Sequence, residues 1–372
     1  MRGTNVVGLI FSNMHDDCIR EITSLRTMGS VPFGGRYRMI DFPLSNMVNS
    51  NISKVGVITK SNYQSLMDHL GSGKAWDLSR KREGLFILPP FGHGNGLYAE
   101  RIDALSGISS FLKECKEEFV VMSDCHIAYN IDFSDVINYH YQKGADITIV
   151  YKNGVVPDSL PEKVCLEFGR AKRISEIING VTDKENKCDW SMGIYVMKRD
   201  FLMKIIAEAV ARNRNNFVRD VLQSAVEQYK MFGYKFDGCA MAVTSMEAYF
   251  EANMSLVNKS VREDLFNPNR PVYTKVLDEM PAKFGLGAIV TNSIVADGCV
   301  IEGEVSNCIL FRGVKIGKGA KVSNCIIMQD TQIGDNAILN YVITDKDVVV
   351  QNACSFMGCQ TYPAYIPKGR NV

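Results

Sequence analysis

Beyond residue 280 the chain abandons the periods of ordinary helices and strands. Small aliphatic residues recur there at five- or six-residue steps, at Ile294, Val300, Val305, Leu310, Ile316, Val322, Ile327, Ile333 and Leu339. Glycines at 298, 303, 313, 317, 319 and 334 punctuate them. Steps this short leave too little room for the strands of a sandwich. They fit a parallel β-helix, in which each hexad is a short strand and a corner that turns one aliphatic side chain into a triangular core. A second register agrees. Asn292-Ser293-Ile294, Asn307-Cys308-Ile309, Asn324-Cys325-Ile326 and Asn340-Tyr341-Val342 recur 15, 17 and 16 residues apart, about one coil of three hexads. The four asparagines are expected to stack as an amide ladder. Cys308 and Cys325 should then sit on adjacent coils as packed thiols, not as a metal pair.

Upstream, strand and helix signals alternate. Val6–Phe11, Val55–Thr59, Phe119–Met122 and Ala145–Tyr151 are short apolar runs that read as buried strands. Helices are expected from about Asn62 to Leu70, Ala99 to Glu114, Asp220 to Tyr229 and Met246 to Leu256. Ser72 to Gly96, rich in glycine and carrying Pro89-Pro90, reads as a long surface loop. The result is an α/β domain over 1–257, a linker over 258–280 and the β-helix over 281–372.

The 372 residues suffice for two cores. A formal net charge of +1 gives no bulk electrostatic support to a nucleic-acid or acidic-membrane partner. The apolar run Val6–Ile10 is too short for a signal peptide or a membrane span. Eleven cysteines without a Cys-x-x-Cys pair predict reduced thiols in the cytoplasm.

The densest stretch is Ser30–Ile52, SVPFGGRYRMIDFPLSNMVNSNI. Pro32, Gly34 and Gly35 make a turn-prone loop. Arg36 and Arg38 would share a face if extended. A helix start follows at Asp41-Phe42-Pro43, with proline tolerated in the first turn. On local pattern alone this is a loop-to-helix joint with solvated arginines. The stretch, however, resembles the VPFGGKYRIIDFPLSN block of bacterial and plant ADP-glucose pyrophosphorylases, which make the glucosyl donor for glycogen and starch. The resemblance extends over almost the whole chain. It implies a Rossmann-like, GT-A-like nucleotidyltransferase domain followed by a left-handed β-helix used for subunit contacts.

That family's working residues carry over unevenly. Its glycine-rich phosphate loop corresponds to Phe11-Ser12-Asn13-Met14-His15-Asp16-Asp17-Cys18, which holds no glycine and two carboxylates. Its RAKP lysine corresponds to Met28, and the activator-linked lysine before that motif to Leu25. Its GTADA motif meets only Gly96-Leu97-Tyr98-Ala99-Glu100. The Glu-Lys pair that grips glucose phosphate falls on Asn179 and Gly180. The second Mg²⁺ aspartate falls on Ala242. The retained matches are Asp124 for the first Mg²⁺ aspartate, Gly169 and Ser191 for the sugar pocket, and Arg36 and Arg38. Asp124 alone would hold Mg²⁺ weakly, since such sites rely on several anionic oxygens.

The resemblance therefore implies a non-catalytic partner of the catalytic ADP-glucose pyrophosphorylase subunit in glycogen biosynthesis, of the kind found in Gram-positive bacteria. Such a chain would bind no cofactor of its own and leave Mg²⁺ to the catalytic partner. It would assemble as a hetero-tetramer, or a homo-oligomer when alone, and could hold a small phosphorylated effector through Arg36, Arg38, Gly169 and Ser191. The competing expectation is a weak nucleotidyltransferase working through Asp124. An acyltransferase built on the β-helix is disfavoured, because all five histidines precede residue 141.

Overall fold

A computed structural model describes residues 5–80, 83–90, 98–157, 160, 162–180 and 187–372. A parallel strand covered on both faces must be apolar throughout. Val6–Phe11 (β1) meets that condition, with every residue of VVGLIF buried. Lys54–Ile58 (β2) and Gly84–Leu88 (β3) extend the sheet on one side, and Phe119–Asp124 (β4) on the other, all parallel. Gly8 lets the helix Asp41–Asn49 close onto β1, since a Cβ there would stand 2.3 Å from Met47 Sδ. Ile147–Val155 (β5), Val164–Phe168 (β6), Ile174–Asn179 (β7), Lys187–Lys198 (β8) and Met231–Lys235 (β9) complete nine strands. The order is β7-β6-β8-β4-β1-β2-β3, with β5 paired to β8 and β9 to β5. The parallel run β3-β2-β1-β4 reverses its winding between β1 and β4. In such sheets the crevice at the carboxyl ends of those two strands is the ligand site.

Several sequence expectations need correction. The stretch read as a loop after Ser72 contains β3, a five-residue apolar strand hidden between glycine-rich flanks. Its residues 91–97, and so Gly96 and Leu97, lie outside the described residues. The helix expected from Ala99 to Glu114 is two, Arg101–Gly107 and Ser109–Glu114. Asp220–Tyr229 is not a regular helix but a wide π-type turn over Phe217–Leu222 and a 3-10 turn over Gln223–Ala225. Part of the stretch read as a linker folds as the helix Lys259–Leu265, started by Asn258, whose side chain accepts the Ser260 N–H. The chain beyond it is pinned to the first domain, because Ser45 Oγ accepts the Tyr273 N–H and Asn49 Nδ2 donates to Pro271 O. The thiols are not all reduced either. Cys165 of β6 and Cys188 of β8 form a disulfide, and the other nine cysteines are free.

The C-terminal unit is a left-handed β-helix of three five-stranded parallel sheets. Val305, Leu310, Ile316, Val322, Ile327, Ile333 and Leu339 point inward as their spacing required. At two positions the inward residue is the next one along, so that Val295 and Ile301, which stack on Leu310 and Ile316, take the places expected of Ile294 and Val300. Ile294 packs instead on the core of the first domain. The amide ladder forms. Asn292 donates to Asn307 at 3.2 Å, Asn307 to Asn324 at 2.6 Å and Asn324 to Asn340 at 3.0 Å. Its last rung comes from inside a strand, because Ser323 pairs with Asn340 and Tyr341 takes the positive-φ corner that asparagine fills in the earlier coils.

One buried cluster runs across the domain boundary, from Phe33, Ile40, Phe250 and Leu256 to Ile309, Ile326 and Ile343. The Pro32–Gly35 loop is the joint. Gly34 N–H donates to Asn253 Oδ1 at 2.9 Å, and Tyr249 donates its hydroxyl proton to Pro32 O, also at 2.9 Å. Gly34 and Gly35 both hold positive φ there, which accounts for the double glycine.

Candidate functional site

The pairing of Phe11 with Asp124 sets the end of β4 beside the loop that leaves β1. A break in the pairing of β8 between Ser191 and Ile194 brings Gly193, at φ +70°, against the same carboxylate. Asp124 is therefore at the crevice, but it is already occupied by this chain. Arg101 opens its helix with a forked contact, Nη1 to Oδ1 at 2.9 Å and Nη2 to Oδ2 at 2.7 Å. His15 Nε2 lies 3.1 Å from Oδ2. The His126 ring packs against His15 at an interplanar angle of 55°, with ring centroids 3.9 Å apart. All four side chains are buried.

The charges follow from this packing. Burial alone would raise the Asp124 carboxyl, but Arg101 and His15 override it and hold the group well below the usual carboxylate range. Burial pulls His15 down, and its hydrogen bond and attraction to Asp124 reverse that, lifting it to about 9. His126 is driven well below the ordinary histidine range by burial and by the charge on His15. Because His15 is raised from 6.5 to about 9 on folding, its stabilising contribution is complete below pH 6.5. It should fall away as pH climbs through 9, by roughly 3 kcal/mol. Denaturant unfolding at pH 6.5 and 9.5, with a chelator present, should show that decline in the natural chain and a much flatter profile in His15→Gln.

The loop after β1 is closed as well. Ser12 Oγ donates to Ile58 O at 2.8 Å, and Asn13 Oδ1 accepts the Lys60 N–H at 2.9 Å. Asp16 accepts the Met28 N–H at 2.7 Å and a bond from Asn13 Nδ2. A carboxylate thus takes a backbone N–H that a phosphate would need. Burial lifts Asp16 to about 6 against those two hydrogen bonds.

Mg²⁺ asks for near-octahedral oxygen ligation. Here Asp124 already meets three nitrogens, and the imidazoles of His15 and His126 flank it, with Glu162 and Ser191 also on the cavity wall. Ala242 is a buried alanine in the strand Ala240–Ala242, paired to Ile127–Tyr129. These residues do not fit Mg²⁺.

The remaining candidate residues do not converge on this point. Met28 is buried core. Ser191 lines the Asp124 cavity, and its Oγ accepts the Gly193 N–H at 3.3 Å. Asn179 ends β7, three strands from β4 along the sheet, and Gly180 follows it. Gly169 lines a separate hollow with Arg170, Arg173 and Glu227. Arg36 and Arg38 face a second cavity of about 170 Å³ at the domain junction, with His69, Lys275, Arg312 and Lys346. Among the described residues no carboxylate lines it. The sequence reading missed Arg101, His15, Arg312 and Lys346, because none belongs to a local motif.

Residues 19–259 match the nucleotidyl transferase family, and residues 280–359 match the GlmU-like C-terminal hexapeptide family. The chain is 36% identical to glycogen biosynthesis protein GlgD of Bacillus subtilis (strain 168), over 99% of this chain and 97% of that one. It is 36% identical to glycogen biosynthesis protein GlgD of Geobacillus stearothermophilus, over 85% and 82%. It is 34% identical to the glucose-1-phosphate adenylyltransferase of Thermotoga neapolitana, over 85% and 75%. A doubly wound sheet closed by a hexapeptide β-helix, together with similarity along the full chain, shows that this protein belongs to the nucleotidyl transferase family, in the group that holds glycogen biosynthesis protein GlgD and the glucose-1-phosphate adenylyltransferases.

Proposed function

We propose that this chain is a non-catalytic subunit of glycogen biosynthesis that tunes a catalytic glucose-1-phosphate adenylyltransferase within a hetero-oligomer. The observation that carries the proposal is Asp124, neutralised from within by Arg101 and His15. Adenylyl transfer needs cations aimed at charge that develops on the triphosphate, and loss of one such group costs about a hundredfold or more. Here the loop that should receive phosphates offers the Asp16 carboxylate, and Met28 and Ala242 carry no charge. A weak transferase working through Asp124 is the second reading. It has in its favour that Ser191 and Asp124 share a cavity.

Two further features support a regulatory subunit. Val276, Met280, Phe284, Leu286 and Ile289 are exposed apolar residues leading into the first β-helix coil, whose strands are paired on one side only. An apolar surface beside open strand edges suits a partner subunit. The cationic cavity suits a small phosphorylated effector. Arg312 is buried with Nε and one Nη lacking hydrogen-bond partners. Lys346 is lowered to about 7 by burial and by the neighbouring Arg38 and Arg26. An anion would relieve both. No helix among the described residues is long and apolar enough to cross a membrane, and a cytoplasmic site of action is part of the proposal.

The test is an assay of ATP and glucose-1-phosphate with Mg²⁺, first with this chain alone and then with a catalytic subunit added. Turnover alone should lie more than about a hundredfold below that of the catalytic subunit. The two chains should co-elute, and the mixture should show altered kinetics. Arg312→Ala should assemble normally but lose the response to a phosphorylated sugar. Robust turnover by the isolated chain would overturn the proposal, as would failure to co-elute.

A further inference from the structure

The geometry points to a transition-metal site for Zn²⁺ built from His15 Nε2, the Asp124 carboxylate and His126 Nδ1. These ligand atoms all lie within 4.8 Å of one another. His15 Nε2 stands 3.1 Å and His126 Nδ1 3.9 Å from the same Oδ2. Ligands around tetrahedral zinc, with bonds of about 2.0–2.1 Å, stand roughly 3.4 Å apart, so the His126–Asp124 edge must close by about half an ångström and the His15–His126 edge by no more than about 1.4 Å.

A separate observation points the same way. His126 is 5% exposed, and its Nδ1 has no hydrogen-bond partner. Native proteins seldom leave such a nitrogen bare, and a metal ion satisfies it. Beside it lies a cavity of about 20 Å³ whose wall includes these three residues, Arg101, Glu162, Ser191 and Gly193. That is room for one ion. Glycine at 193 keeps the space open, since a Cβ there would stand 3.1 Å from Asp124 Oδ2 and 3.7 Å from His126 Cε1.

The donor set selects the metal. Imidazole nitrogens with a carboxylate suit zinc, whereas magnesium prefers oxygens alone. Arg101 does not exclude it. Each carboxylate oxygen offers about two lone-pair sites, and Arg101 takes one on each. Zinc takes the place of the proton between His15 and Oδ2. The three protein ligands leave a fourth position for water or for an anionic ligand oxygen. Zinc here would tie the loop after β1 to the end of β4.

The full chain is loaded with Zn²⁺, desalted and analysed for metal, and its affinity is measured by chelator competition. Co²⁺ replaces Zn²⁺ for spectroscopy. About one equivalent per chain should be retained, with the visible bands of four-coordinate cobalt and no thiolate charge-transfer band. His126→Asn and His15→Asn should each weaken zinc binding at least about a hundredfold. The inference fails if the natural chain retains no zinc, if the cobalt spectrum shows thiolate ligation, or if folded His126→Asn binds as tightly. The measurements on the natural chain decide the matter even if a variant does not fold.

Discussion

Arg101→Met is expected to destabilise the first domain by about 3–5 kcal/mol, the usual result of removing one partner from a buried ion pair. Arg101 and Asp124 are buried, and two of the three bonds to the carboxylate come from this one guanidinium. Methionine fills much of the volume, so the cost is chiefly a buried carboxylate left with His15 as its one charged partner, and not a cavity. Asp124→Asn alone should also destabilise, because it strands the guanidinium and removes the acceptor of His15. The double variant Arg101→Met, Asp124→Asn should cost clearly less than the sum of the two, since two neutral side chains then face each other. Urea midpoints for the four proteins measure this directly. Simple additivity would show that the pair is not the unit that holds this crevice together.

Asp345→Ala should loosen the β-helix from the transferase-like domain, with a comparable cost of about 3–5 kcal/mol. Asp345 accepts Arg26 Nη2 at 2.8 Å and the Tyr365 hydroxyl at 3.0 Å. The side chains of the ion pair are 4% and 2% exposed. Arg38 and Lys346 lie close by, and both are lowered by burial and by the surrounding cations. Without the carboxylate these charges confront one another at the joint. Calorimetry should then resolve two thermal transitions, and limited proteolysis should become faster at the domain junction. A single transition at the natural temperature would mean that apolar packing alone holds the two units.

These two ion pairs also mark where sequence reading stops. The inward hexad residues and the fully apolar β1 could be read directly, because a β-helix and a parallel sheet repeat one environment at a fixed short period. The strand Gly84–Leu88 was missed because its flanks carry every sign of a loop. Two inward positions of the β-helix lie one residue further along than expected, because Ile294-Val295 and Val300-Ile301 each offer two aliphatics and spacing cannot choose between them. The departures from the family's lysine and metal-aspartate positions were visible at Met28 and Ala242, since a substitution in a motif is a local fact.

What replaced those groups was not visible. Arg101 is 23 residues from Asp124, His15 is 109 away, and Arg26 is 319 from Asp345. Periodicity fixes the face on which a residue lies, and so the chain alone determined the inward faces of its sheet and β-helix. Which charges share a buried site depends on strand order and on how one domain seats against the other. Coulomb attraction and desolvation act across space and not along the chain, so only the folded molecule could pair Asp124 with Arg101 and Asp345 with Arg26.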